Sequence, residues 1–235
     1  MPYSSAPTTS AVSWYLEIAD GCAGRLNSAQ FPTTTSLVIG VGSNMSKSFY
    51  SWMTRGGDGA VVTVDSSGKV LYKDLFRGKI SQIQLPACDA ASQNTSYVVM
   101  TMLVADVKSV TPGGHYSGIT VPAKPIMARD FKFSVPGVDG FQYVSSVTGL
   151  SIGNTPPAMA IQLVESRAGA IRSWLQNGNS PKGGSLQYLG PSLTTSIFTV
   201  EFESLRVGNI VPAFPTNPNQ KITVNLKAAS AILKC

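Results

Sequence analysis

Residues able to do chemistry are few in this chain. The single histidine, His115, lies in a Gly- and Pro-rich stretch, Thr111-Pro112-Gly113-Gly114-His115-Tyr116-Ser117-Gly118. A lone imidazole there has no positioned partner for a nucleophile–base pair and no second ligand for a metal, so it reads as a solvated loop residue. Glu201 and Glu203 stand at i, i+2 on a strand-like run and share one face, where two carboxylates could bind a cation or share a proton. No third ligand is near in sequence, and a solvated strand face is the expectation. Cys22, Cys88 and Cys235 are odd in number and lack CxxC spacing. Neither a disulfide framework nor a zinc site is indicated, and buried free thiols are expected. The pairs Gly56-Gly57, Gly113-Gly114 and Gly183-Gly184 lack the Lys-Ser/Thr that completes a phosphate loop, so they read as turn glycines. With general acid–base groups this sparse, no catalytic residue, cofactor or metal is assigned and an enzyme is not expected.

What the chain does contain is an internal echo. Lys47-Ser48-Phe49-Tyr50-Ser51-Trp52-Met53 is matched by Gly169-Ala170-Ile171-Arg172-Ser173-Trp174-Leu175 about 120 residues on. Before each lies an apolar run and an Asp-Gly step, Trp14 to Ile18 with Asp20-Gly21 and Phe131 to Val135 with Asp139-Gly140. After each comes a hydrophobic-Pro step, Leu85-Pro86-Ala87 and Val211-Pro212-Ala213. A period of this length points to duplicated domains, not to a short solenoid repeat.

The two echoed phrases read as short amphipathic helices. Phe49, Trp52 and Met53 fall at i, i+3, i+4, with Ser46 as cap and Gly56-Gly57 as stop. Ala168, Ile171, Trp174 and Leu175 repeat the stripe, with Gly178 as stop and Ser166 as the candidate cap. Helices this short are unstable alone in water, so each must lean on a sheet. Phe49, Trp52, Met53, Ile171, Trp174 and Leu175 are therefore expected in two equivalent cores, and the tryptophans are not read as stacking platforms.

Elsewhere, short apolar runs between Gly, Pro, Asn and Ser predict strands over 12–18, 35–41, 60–65, 69–85 and 96–109. The second half predicts them over 130–135, 141–151, 159–164, 185–189, 194–211 and 221–233. Asp65-Ser66-Ser67-Gly68 predicts a hairpin turn. The expected fold is mainly β: two tandem β-barrel or sandwich domains, residues 1–118 and 119–235, each with one short α-helix and joined by a Gly- and Pro-rich linker near residue 120.

Charged residues make up 13% of the 235-residue chain, against about 25% in ordinary globular proteins. A surface so poor in charge suits one occupied by copies of itself, because interface cores are depleted of charge. The net charge of +6 is uneven: 8 basic and 7 acidic residues in 1–120, 10 and 5 in 121–235. The basic residues are scattered, which disfavours specific nucleic-acid recognition. The amino terminus lacks the charged and apolar regions of a signal peptide, and no apolar run is long enough to span a membrane. A soluble protein made in the cytoplasm is expected.

The chain resembles the tail-tube family, which includes the tubes of contractile phage tails and the haemolysin-coregulated tube protein of type VI secretion. The resemblance rests on Trp14 to Gly21, Ser46 to Trp52, Phe131 to Gly140, Val144 to Leu150 and Ile171 to Trp174. It implies that six barrel units close a ring and that rings stack into a tube, with sheath, baseplate or tape-measure proteins as partners. Two units per chain imply a homotrimer with pseudo-sixfold symmetry, placed in a virion tail or injection-particle tube. The lumen would pass DNA or protein; the positive net charge disfavours free passage of DNA. Two alternatives accompany this expectation. One is a baseplate hub or tube adaptor. The other is a secreted tandem β-sandwich that binds carbohydrate through Tyr97, Tyr143 and Tyr188.

Overall fold

A computed structural model describes residues 12–19, 21–118, 121–212 and 217–234. Strands hold 56% of the chain, arranged as one closed six-strand barrel and one nearly closed seven-strand barrel. The compact units are Met1–Lys79 with Met102–Ala123, and Ile80–Thr101 with Lys124–Cys235. Relative to a division at 118/119, residues 80–101 group with the second unit and residues 119–123 with the first.

The first barrel is built from β1 (Ser13–Ile18), β2 (Gly21–Thr33), β3 (Ser36–Val41), helix α1 (Lys47–Arg55), β4 (Gly57–Val64) and β5 (Val70–Gln84). Two short strands follow, β6 (Cys88–Asp89) and β7 (Thr95–Ser96), and then β8 (Val98–Val110). The pairings β1–β2, β1–β4, β2–β3 and β4–β5 are antiparallel, and the ring runs β1-β2-β3-β8-β5-β4 and back to β1. Alternation sends Leu37 and Ile39 of β3 and Met100, Met102 and Val104 of β8 inward. β4 buries Ala60 to Val64 without a break, a valine-rich run that suits a strand covered on both faces. The turn after β4 is held by Asp65, whose Oδ1 accepts from the Ser67 amide at 2.8 Å and the Lys69 amide at 2.9 Å, with Gly68 at φ 87°.

The stretch with linker composition is partly built into this barrel. Val70 donates to the Gly114 carbonyl and Tyr116 to the Gly68 carbonyl, both at 2.9 Å. The Tyr116 ring lies 4.4 Å from that of Tyr15, against the cluster of Tyr15, Val62, Val64 and Val70. His115 bridges to Lys69 at the same place.

The second barrel continues with β9 (Ile126–Met127), β10 (Phe131–Ser134), β11 (Ser146–Thr148), β12 (Ser151–Gly153) and β13 (Ala158–Val164). Helix α2 (Gly169–Gln176), β14 (Lys182–Leu189), β15 (Ser196–Val211), β16 (Lys221–Lys227) and β17 (Ser230–Lys234) complete it. Its strand path is β10-β14-β15-β16-β13-β11-β6, with β17 on β15. Placed beside the first barrel, the order is the same: β10, β11, β13, β14 and β15 take the places of β1, β2, β3, β4 and β5. β16 and β17 together take the place of β8, and each helix lies between the third and fourth of these strands. Among the described residues no ladder joins β10 to β11, where the first barrel has β1 to β2.

The helices show how the repeat is maintained. α1 begins at Ser46, whose Oγ accepts from the Phe49 amide at 3.3 Å, and ends at Gly56, φ 73°. A Cβ on Gly56 would stand 2.3 Å from the Gly78 carbonyl, so only glycine fits. Phe49 and Met53 are buried and Trp52 half-buried. α2 differs at its start. Its N-cap is Ala168, with no side-chain bond, and Ser166 sits in a preceding turn of 3-10 helix, Glu165–Arg167. The anchoring there is an ion pair instead: Arg172 Nε and Nη2 each donate to the buried Glu165 carboxylate at 2.7 Å. Ile171 and Trp174 are buried, Leu175 half-buried, and the Trp174 ring meets Phe141 edge-on, 6.3 Å between centroids. Trp174 Nε1 donates to the Ser180 carbonyl at 2.8 Å, whereas the buried Trp52 Nε1 has no partner among the described residues.

Three differences from the sequence reading have local causes. β2 was not expected, because Gly21, Gly24, Asn27 and Ser28 hide it. Gly24, φ 147°, lets the Met45 side chain come within 2.8 Å of where a Cβ would stand. The strand expected over 141–151 is a 3-10 turn, Phe141–Tyr143, then β11 and β12, broken at Gly149 with φ 77°. The run 221–233 divides into β16 and β17 at Ala228-Ala229, whose amides bond to Pro157 and Glu203. Replacing the true cap, Ser46→Ala, should lower stability by about 1 kcal/mol in denaturant unfolding, and Ser166→Ala, exposed and capping nothing, by a few tenths or less.

Candidate functional site

Residues 80–101, the distal part of the β5–β8 hairpin and its connection, are built into the second unit by main-chain bonds along two edges. On one, β12 pairs with β5: Ser151 opposite Gln84, Ile152 opposite Ile83, Gly153 opposite Gln82. Leu85 extends that line by donating to the Leu150 carbonyl at 3.1 Å. The approach is close enough that a Cβ on Gly153 would lie 2.6 Å from the Ser81 carbonyl. On the other edge, β6 pairs with β11, Cys88 opposite Val147 and Asp89 opposite Ser146. Ala90 donates to the Ser145 carbonyl at 2.8 Å and Asp89 to that of Ala128 at 2.9 Å. β7 and β9 add a two-residue ladder, Thr95 opposite Met127 and Ser96 opposite Ile126.

Side chains anchor the segment from inside. Tyr188, 1% exposed and packed 4.6 Å from Phe198, donates its hydroxyl to the Pro86 carbonyl at 2.8 Å. The Cys88 thiol lies beside it, and burial pushes that thiol up to about 12 despite the hydrogen bond with Tyr188. Burial, first, and the neighbouring thiol also raise Tyr188 well above the ordinary phenol value. The arrangement does one thing: it adds a strand to an edge of an otherwise incomplete barrel, which is β-augmentation within a single chain. Sequence reasoning found the Leu85-Pro86 step as part of the repeat but not its role; it missed β6, and it did not separate β12 from the run 141–151, because strands of two or three residues carry no periodic signal.

The residues considered for chemistry are placed apart. Glu201 pairs with Lys234 at 2.5 Å and Glu203 accepts from Ser230 Oγ at 2.7 Å, on adjacent positions of the β15–β17 ladder. Both are solvent-facing, as a solvated strand face requires. Among the described residues, no group of three or more His, Cys, Asp or Glu side chains is close enough to hold a metal ion. Gly56 caps α1, Gly57 opens β4, Gly113 and Gly114 sit in a loop at positive φ, and Gly183-Gly184 lie in β14. Cys22 is half-buried and accepts from the Tyr116 hydroxyl at 3.1 Å; Cys235 lies outside the described residues. A surface groove is lined, among the described residues, by Glu17, Gly21, Cys22, Ser117 and Gly118, and the Glu17 carboxylate is held by Lys73 at 2.5 Å.

No model of a known protein family matches the chain, and no curated protein matches its sequence.

Cys88 should resist thiol reagents in the folded protein at pH 8 and react on unfolding, as read by mass spectrometry of peptides labelled before and after denaturation. Tyr188→Phe leaves the Pro86 carbonyl without its donor, and should cost about 1–3 kcal/mol, with faster amide exchange concentrated in residues 85–97.

Proposed function

We propose that this is a structural assembly protein in which three two-barrel chains close a ring of six barrels, forming or initiating the inner tube of a phage tail or contractile injection machine. The observation that carries the reading is the shared strand order of the two barrels, each with its helix at the same point. Two equivalent units in one chain can occupy successive positions of a ring, and three such chains then supply six. Ring closure removes open sheet edges, and heterologous faces let closed rings stack into a filament.

Two further observations support assembly over catalysis. Glu201 and Glu203, the carboxylates weighed for chemistry, are engaged by Lys234 and Ser230 on a solvent-facing strand. On the first barrel, Leu75 and Leu103 are exposed between buried neighbours and Val107 is exposed farther along β8, apolar side chains that suit a contact with another chain. The carbohydrate-binding alternative loses part of its platform. Tyr188 is fully buried, and the Arg167 guanidinium covers the Tyr143 ring at 4.2 Å.

Native mass spectrometry of the purified protein should give complexes at multiples of three times 24.7 kDa, and negative-stain images of the same sample should show rings or stacked rings. A monomer at every concentration tested, or a ring of six full chains, would overturn the reading.

A further inference from the structure

The two barrels share a strand order, yet two edges that are paired in the second unit are open at the matching positions elsewhere in the chain. Aligning Leu85-Pro86 with Val211-Pro212 sets Gln82–Gln84 of β5 against Gly208–Ile210 of β15. The first of these pairs with β12 on the side away from β8. Among the described residues, no strand pairs with 208–211 on the side away from β16. β14 ends its pairing at Leu205, and the Asn179 side chain then serves Val207 alone, donating to its carbonyl at 2.7 Å and accepting from its amide at 3.0 Å. Past that point no strand among the described residues covers the edge, which ends in Val211, 53% exposed.

The second open edge is on β2. Ser28, Ala29 and Gln30 pair with Gly40, Ile39 and Val38, as Ser146, Val147 and Thr148 of β11 pair with Gln162, Ile161 and Ala160. Ser28–Gln30 therefore stand where β11 stands. β11 has β6 on its far side, whereas β1 reaches only to Leu26 of β2, and among the described residues no strand covers β2 beyond it on that side.

We infer that these two open edges meet between copies: the end of the β15–β16 hairpin, Gly208–Val211, of one chain docks on β2 and the β2–β3 turn, residues 27–35, of a second copy. The occupant is named by the chain itself. Within the second unit the equivalent end of the β5–β8 hairpin already docks on the equivalent elements, β11 and the connection that carries β12. Among the described residues, each chain then has one donor end and one acceptor edge left over, which is the condition for head-to-tail closure. The contact is main-chain pairing with an exposed valine at its end, so it suits a sheet edge and not a charged or polymeric ligand. This inference rests on the ring reading and specifies its contact.

The test places p-benzoylphenylalanine at position 211 of the full-length chain. Ultraviolet cross-links should join it to a peptide within residues 27–35 of another copy. Cross-links that fall only elsewhere on another copy, with masses still in multiples of three chains, would overturn this contact and leave the ring reading standing. A monomer without cross-links would overturn both. In parallel, Val211→Lys puts a charge on an exposed edge residue. It should raise the concentration needed for assembly roughly tenfold or more with the melting temperature unchanged. Unchanged assembly would count against the contact.

Discussion

Every main-chain amide and carbonyl in a sheet needs a partner, and a small barrel meets that demand by closing. The first barrel does so with its own strands, the last line of bonds being β5 to β8. Among the described residues, the second stops short between β10 and β11, where the chain between them is occupied by the 3-10 turn that brings Phe141 into the core beside Phe133, 5.3 Å between ring centroids. Bringing an aromatic ring in at that point removes the strand that would have closed the sheet. β6 supplies the missing partner to β11, and the position of Tyr188, Pro86 and Cys88 follows from the need to seat it. The unclosed seam, then, is the constraint from which the long hairpin and its anchors derive.

Sequence revealed the parts of this design that repeat with a period. The stripe Phe49, Trp52, Met53 and its echo Ile171, Trp174, Leu175 were legible because helices expose their buried face at i, i+3, i+4. Long alternating strands such as β5, β8 and β15 were legible for the same reason at period two. β2 was not, because its bulges need Gly24 and tolerate Asn27 and Ser28, residues that ordinarily punctuate strands. Nor was the site itself. β6 and β12 exist as strands only because something else pairs with them, and pairing across distant sequence leaves no local trace.

Equivalence of strand order has not kept the two barrels chemically equal. The first helix is held by a serine cap, the second by the Glu165–Arg172 pair, and among the described residues only the second indole has a hydrogen-bond partner. The first barrel exposes Leu75, Leu103 and Val107 along with the Asp58–Arg77 ion pair, and the second exposes Ile232 opposite Glu201, with Glu203 and Lys234. Two barrels in one chain can thus differ in how their helices are anchored, a difference that a single-barrel protein repeated six times cannot have.

The assignment of residues 80–101 to the second unit also sets an order of events during synthesis. The first barrel has all its strands once β8 has been made, but the segment carrying Pro86, Cys88 and β6 finds its place only when β11, β12 and β14 exist. Ribosomes add roughly 5 to 20 residues each second, so the about 90 residues from the end of the segment at residue 101 to the end of β14 at Leu189 take on the order of 10 s. Throughout that interval Ile83, Leu85 and Cys88, all buried in the finished protein, are exposed beside an unpaired edge. In a polysome, neighbouring nascent chains carry the same segment at the same stage, and the interval is when one chain's hairpin can enter another's second unit.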